Sequence, residues 1–330
     1  MSDSPIGVLV MAYGTASGPN DIERYYTDIR GGRAPSPEHL TELQDRYAAI
    51  GNVFPLLDTT HAQAEGIVER LNAGTGSSNR HRAYLGMKHS RPFIPEAVAS
   101  MRADGVARVI GIVMAPHWSG MSVETYIQRV IQAAQGDGGG PEFTFVRSYH
   151  DHPAFIGFLS DRVTEALGRL TDDERVNAAV IFSAHSLPIR TLEDGSQRCK
   201  TCDCDHSCRY RDGLQQTADL VAKRLGLDDY LIAWQSAGRT SDPWWGPPIE
   251  AMIEELATSG HGAVVVCSAG FVADHLEILY DLDIDARGIA ERAGMRFERT
   301  RMPNADPEYV DVLAAVVCEH LAEMQRGVSA

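Results

Sequence analysis

Four cysteines fall within ten residues, at Cys199, Cys202, Cys204 and Cys208, spaced Cys-x2-Cys-x-Cys-x3-Cys. Four thiolates can hold a [2Fe–2S] cluster or a structural Zn2+ ion. The single Cys-x-Cys step is a poor match to paired zinc knuckles, and free thiols are the third reading. His206 lies among them as a further candidate ligand, while Cys267 and Cys318 sit in apolar surroundings and are expected in the core. In a chain of this size such clustering points to metal ligation more than to disulfides. A second group is acidic: Glu277, Asp281 and Asp285 recur every four residues. On a helix their carboxylates share one stripe, roughly 6 Å apart at about 1.5 Å per residue. Like charges so spaced cost a helix about 0.2–0.5 kcal/mol per pair unless a cation compensates them. One reading is an oxygen-lined path for a divalent metal; the competing one is a solvated acidic face in an acidic protein.

His185 follows an apolar run and precedes Ser186-Leu187-Pro188. An imidazole can accept a proton or ligate a transition metal near neutral pH, and imidazole with carboxylate suits Fe2+ as well as Zn2+. Arg30, Arg33, Arg46 and Lys88 are cations in a negative protein. Arginines in a glycine-bearing loop suit bidentate contacts to carboxylates, against the competing reading of solvated surface arginines.

These residues need a scaffold. Buried strands are expected at Ile6–Ala12, Ala83–Met87, Ala107–Met114, Glu142–Val146, Ala178–Ser183, Tyr230–Gln235 and Ala263–Val266. Helical patterns cover 21–28, 38–50, 60–72, 93–104, 123–135, 153–170, 212–225, 249–259 and 307–325, and another opens near Ala273. Polar breaks at 74–82 and 136–141 read as loops. Strands alternating with helices predict an α/β fold with parallel sheets. VLVMAY resembles AVIFSAH, and VIGIVMAPH resembles VVVCSAGFVADH, so two similar doubly wound, Rossmann-like lobes are expected, 1–150 and 151–330. The cysteine segment 196–210 is an insertion in the second, and the last helix packs back on the first. Tyr13, His117, His185, His275 and Glu277 all lie just past strand ends, where such sheets bind ligands.

Hydrophobic residues at 44% and charged residues at 23% are ordinary for a globular chain of 330 residues. A net charge of −15 argues against nucleic acid or an anionic membrane as partner. No apolar run approaches the roughly 20 residues of a membrane span. The start, MSDSPIGVLVMAYGT, has no basic region before its first strand and does not read as a signal peptide. The expectation is a cytoplasmic monomer.

VLVMAYGT, YYTDIRGGRAP, LQDRYAAIG, APHWS, FSAHSLP, WQSAG, DPWWGP and GFVADHLEILYDLD occur in that order over nearly the whole chain. Together they resemble the ferrochelatase family, closest to bacterial enzymes that act on coproporphyrin III and carry a [2Fe–2S] cluster. The resemblance implies a two-lobed chelatase with a cleft, inserting Fe2+ into coproporphyrin III with release of two protons. It implies His185 and Glu277 as facing catalytic and metal-binding groups, with Asp281 and Asp285 continuing the metal row. Tyr13 would lie against the macrocycle, Arg30, Arg46 and Tyr126 near its propionates, and the four cysteines around the cluster, with Zn2+ as the alternative. Phe54, in place of a small polar residue, and Gly31, in place of a second basic one, depart from the pattern and touch propionate recognition. The alternatives are a protoporphyrin IX ferrochelatase, or a non-catalytic tetrapyrrole or iron carrier.

Overall fold

The computed structural model describes residues 4–73, 80–135, 140–202 and 208–327. Cys204, His206 and the greater part of the loops at 74–82 and 136–141 lie outside them. The first lobe carries four parallel strands, β1 (Ile6–Ala12), β2 (His81–Met87), β3 (Arg108–Val113) and β4 (Glu142–Val146), in the order β2-β1-β3-β4. Around it run α1 (Ile22–Ile29), α2 (Pro37–Ala49), α3 (Leu56–Ala73), α4 (Ile94–Ala103) and α5 (Val123–Ala134). Every residue of β1 is buried, as a strand covered on both faces requires.

The second lobe is built from α6 (Pro153–Leu167), α7 (Asp172–Val176), β5 (Ala178–His185), the hairpin β6 (Ile189–Thr191) and β7 (Gln197–Cys199), and α8 (Arg209–Leu225). Then follow β8 (Leu231–Gln235), α9 (Ile249–Thr258), β9 (Ala263–Cys267), α10 (Leu276–Leu279), α11 (Arg287–Arg292), β10 (Arg296–Arg299) and α12 (Pro307–Gly327). Its parallel sheet runs β10-β9-β5-β8. Ranked by their place in the lobe, these strands have the same order as the first sheet read from the other edge. β5 therefore corresponds to β1 and β9 to β3, the two pairs whose sequences resemble each other.

Three differences from the sequence expectation have physical reasons. β10, Arg296-Phe297-Glu298-Arg299, is an edge strand whose charges form ion pairs, so no apolar run announces it. Cys318, expected in the core with Cys267, is exposed on α12, whereas Cys267 is buried. No helix opens at Ala273. Asn304 holds that segment irregular, its side chain accepting from the Asp274 amide at 2.7 Å and donating to the Asp274 carboxylate at 2.7 Å. The helix begins only at Leu276 and passes at once into a π-helical turn, Asp281–Ala286, where the Asp285 amide reaches back five residues to the Tyr280 carbonyl at 3.0 Å. Among the described residues no helix is long and apolar enough to cross a membrane.

Candidate active site

In each sheet the first strand has its successors on opposite sides, which opens a crevice at its carboxyl end. Tyr13 leaves β1 there, and His185 ends β5. His185 is fixed from several directions. Tyr210 on α8 donates to its carbonyl at 2.9 Å, and the next residue is tied to β8 by the Ser186 amide donating to the Gln235 carbonyl at 2.7 Å. The His185 Nδ1–H donates to the Ser186 carbonyl. A carbonyl can only accept, so in the neutral ring the Nε2 lone pair is the free one.

That Nε2 lies 3.5 Å from Glu277 Oε1. The other carboxylate oxygen, Oε2, lies 3.4 Å from His275 Nε2. Burial opposes charge on both partners of the first pair, and their mutual attraction outweighs it. His185 is raised above its ordinary value by Glu277, by the Ser186 carbonyl and by Asp281. Glu277 is held well below the carboxylate range by His185 and His275.

Asp281 is 2% exposed, and its carboxylate is engaged. Arg46 on α2 donates to it at 2.9 Å and stacks over the Tyr280 ring at 4.4 Å; the Ser236 hydroxyl donates to the other oxygen. Burial and the Glu277 charge still push this acid up to about 6. Asp285 is half-buried one π turn further on, and it raises the pKa of Glu250 on α9, behind burial in importance. Among the described residues, no three His, Cys, Asp or Glu side chains stand together as a preformed metal site.

Tyr13 is 42% exposed, with its ring 4.6 Å from that of His89. Burial and the Glu277 charge keep its phenol protonated well beyond the usual range. Tyr126 on α5 is buried, and its neutral hydroxyl is likewise favoured by burial and by Tyr13. Arg30 caps α1 with its Nε buried and without a hydrogen-bond partner, its guanidinium 5.7 Å from the Tyr26 ring. Arg33 lies in the same loop, its Nε 3.3 Å from the Arg30 carbonyl. Phe54 stacks on Tyr47 at 4.6 Å. His117 is not at this site: it is buried against Thr217, 2.9 Å away.

The sequence reading named no role for Gln235 or Ser236, although WQSAG straddles the end of β8. Gln235 accepts from Ser183 at 2.9 Å and from Ser268 at 3.0 Å, and donates to the Glu277 carbonyl at 3.3 Å. Ser236 takes φ 61°, uncommon for a residue with a side chain, and so aims its hydroxyl at Asp281.

The cysteine segment is bonded to the strand that leaves His185. Ile189 pairs with Cys199, and the Lys200 amide donates to the Pro188 carbonyl at 2.7 Å. Cys199, Cys202 and Cys208 are all buried in one cluster, and Cys202 stands in a disulfide bond, against the expectation of metal ligation in place of disulfides. Cys199 Sγ and Cys208 Sγ are 3.2 Å apart, and the Trp245 indole N–H donates to Cys199 Sγ at 3.3 Å. Sharing of a proton with Cys199, together with amide donors at the start of α8, pulls the Cys208 thiol down to about 6.

Two lobes of parallel sheet with a histidine–carboxylate pair at their strand ends have the fold of solved metal chelatases. Solved chelatases agree: SirB from Bacillus subtilis with Fe3+ superposes with a TM-score of 0.58 at 9% identity, covering 97% of each chain. The sirohydrochlorin chelatase SirB from Bacillus subtilis subspecies spizizenii with cobalt gives 0.53 at 8% identity, covering 96% of this chain and 94% of that one. Sequence narrows the class. The Ferrochelatase family model matches residues 5–321, and this chain belongs to that family. The coproporphyrin III ferrochelatase of Anoxybacillus flavithermus is 44% identical over 97% of this chain and 98% of its own. That of Bacillus subtilis is 43% identical over 97% of this chain and 99% of its own.

Proposed function

We propose that this chain is a coproporphyrin III ferrochelatase, exchanging two pyrrole protons for Fe2+. The observation that carries the reading is the similarity over nearly the full length to relatives of that name, 44% and 43% identical. The geometry supports it. Fe2+ and the ring nitrogens need a base and a carboxylate facing one cleft, and His185 Nε2 stands 3.5 Å from Glu277. With Nδ1–H committed to Ser186, neutral His185 presents Nε2 to accept a pyrrole proton or to hold the metal. Glu277, kept ionised, offsets the charge that His185 or Fe2+ brings. Asp281 and Asp285 would pass the dication along the π turn, which requires Arg46 to release Asp281. Tyr13 would face the ring, with Arg30 and Tyr126 at its propionates.

Once the Cys202 disulfide is reduced, the four cysteines would hold a [2Fe–2S] cluster. Cys199 and Cys208 fit such a group: both sulfurs are buried, 3.2 Å apart, with one N–H aimed at sulfur and one thiol lowered toward thiolate. A cluster supplies rigid cross-linking or redox sensing, since insertion of Fe2+ moves no electrons. Cys202→Ser is expected to remove the visible absorbance of the purified protein; an unchanged spectrum would rule the cluster out.

Anaerobic Fe2+ insertion followed at the Soret band, with coproporphyrin III and protoporphyrin IX in parallel, tests the function. Turnover of the first in preference is the expected result. Preference for the second would overturn the substrate, and tight binding without turnover of either would favour a carrier.

A further inference from the structure

Lys88, just past β2, and Arg129, on α5, stand together beside acids that pair with other residues. The Arg129 guanidinium donates to the Lys88 carbonyl, and among the described residues neither side chain makes an ion pair. That is unexpected in a chain with 45 acidic and 30 basic residues. The nearby acids are engaged elsewhere: Glu124 by Arg147 at 2.6 Å, Asp28 by His89 at 2.7 Å, and Glu96 by Arg91. Burial and the neighbouring guanidinium push the Lys88 ammonium down to about 8, the mark of a cation short of a counter-charge.

Both cations line two adjoining hollows, one of 570 Å³ that also takes in Asp28, Gly31, Gly32 and Phe93, the other of 440 Å³ that takes in Gly120, Glu124 and Thr125. The Lys88 ammonium lies 5.3 Å from the Tyr126 ring and 5.8 Å from the Tyr13 ring. The hollows therefore open beside the two aromatic rings assigned to the macrocycle. Arg46, the guanidinium otherwise available to a propionate, is committed to Asp281 and Tyr280.

We propose that the Lys88–Arg129 hollow is a carboxylate subsite that holds one propionate of the macrocycle, apart from any held at Arg30 or Arg46. The inference rests on the coproporphyrin reading. Coproporphyrin III has four propionates, and a ring with two needs fewer cations around its edge. Gln132, which lines both hollows, is placed to complete the polar wall. A fixed guanidinium and an ammonium suit one carboxylate, the first by its fork and the second as a point charge.

The test is fluorescence-quenching titration of the whole, iron-free protein with coproporphyrin III and with mesoporphyrin IX, which has two propionates. Arg129→Gln and Lys88→Gln are each expected to weaken coproporphyrin III binding about 10-fold, the scale of one charge-assisted hydrogen bond. Mesoporphyrin binding should move less than about 2-fold, and Arg129→Lys should recover part of the loss. Lys88→Gln keeps the Lys88 carbonyl to which Arg129 donates, so it serves if Arg129→Gln fails to fold. Equal losses for both porphyrins, or unchanged coproporphyrin III binding, would overturn the subsite and leave the enzyme reading intact. Wild-type protein binding coproporphyrin III no tighter than mesoporphyrin would overturn the substrate reading and the subsite with it.

Discussion

Glu277 lies between two imidazole nitrogens, at 3.5 Å from His185 and 3.4 Å from His275, and its charge governs both sides of the site. His185→Ala removes the base and is expected to lower Fe2+ insertion about 100-fold or more, with porphyrin affinity little changed. Stopped-flow insertion and fluorescence quenching read the two separately, and near-full activity would end the catalytic assignment. Glu277→Gln is expected to lower the His185 pKa in an NMR titration of the ring, because the carboxylate is a main cause of its rise. Linkage gives the stability window. His185, raised above 6.5, contributes stability that is complete below that pH and lost as pH rises through its folded value; Glu277, depressed below 4.5, contributes above that pH and loses it on acidification. The stability gap between wild type and Glu277→Gln should therefore be widest between pH 4.5 and 6.5 and narrow on the alkaline side.

At the scale of elements, the site depends on close approach of the loop after β9 to the end of β5. A Cβ built on Gly270 would stand 2.4 Å from the Ala184 Cβ, next to His185 in the chain. Gly270→Ala must push these segments apart. It should cost about 1–3 kcal/mol in denaturant unfolding and lower kcat by displacing His185. Wild-type stability would show that the loop yields without strain. The π turn is the other decisive element. It sets Asp281 near Glu277 and within reach of Arg46 from the other lobe, and Asp285 near Glu250 on α9.

At the scale of the molecule, α12 crosses from the second lobe onto α3 of the first, where Arg70 pairs with Asp311 at 3.0 Å. Tyr309 on this helix is fully buried, its hydroxyl 3.1 Å from that of Tyr149 and its ring packed near Phe155 and Phe158. Gln63 on α3 donates to the Asn304 carbonyl at 2.7 Å, close to the loop that positions His275. Tyr309→Ala should cost about 3–5 kcal/mol and lower the melting of both lobes in one transition. Separate melting of the two lobes in wild-type protein would contradict this coupling.

The sequence by itself determined the alternation of strands and helices, the twofold internal likeness and the residues at strand ends, because burial on both faces writes apolar runs and topology puts their carboxyl ends together. His185 and Glu277 were legible as strand-end residues for that reason, and the family resemblance implied that they face each other. Tertiary structure alone decided which charges neutralise one another. Arg46 looked free on its helix, yet it closes on Asp281, 235 positions away in the chain. Arg129 gave no local signal, and only the pairing of its neighbouring acids with other residues marks it out. The π turn and the irregular stretch at 270–275 were also beyond sequence pattern, since their partners, Ser236 at Asp281 and Asn304 at Asp274, come from other segments. Periodicity records which face of an element is buried; it does not record which partner arrives across a cleft.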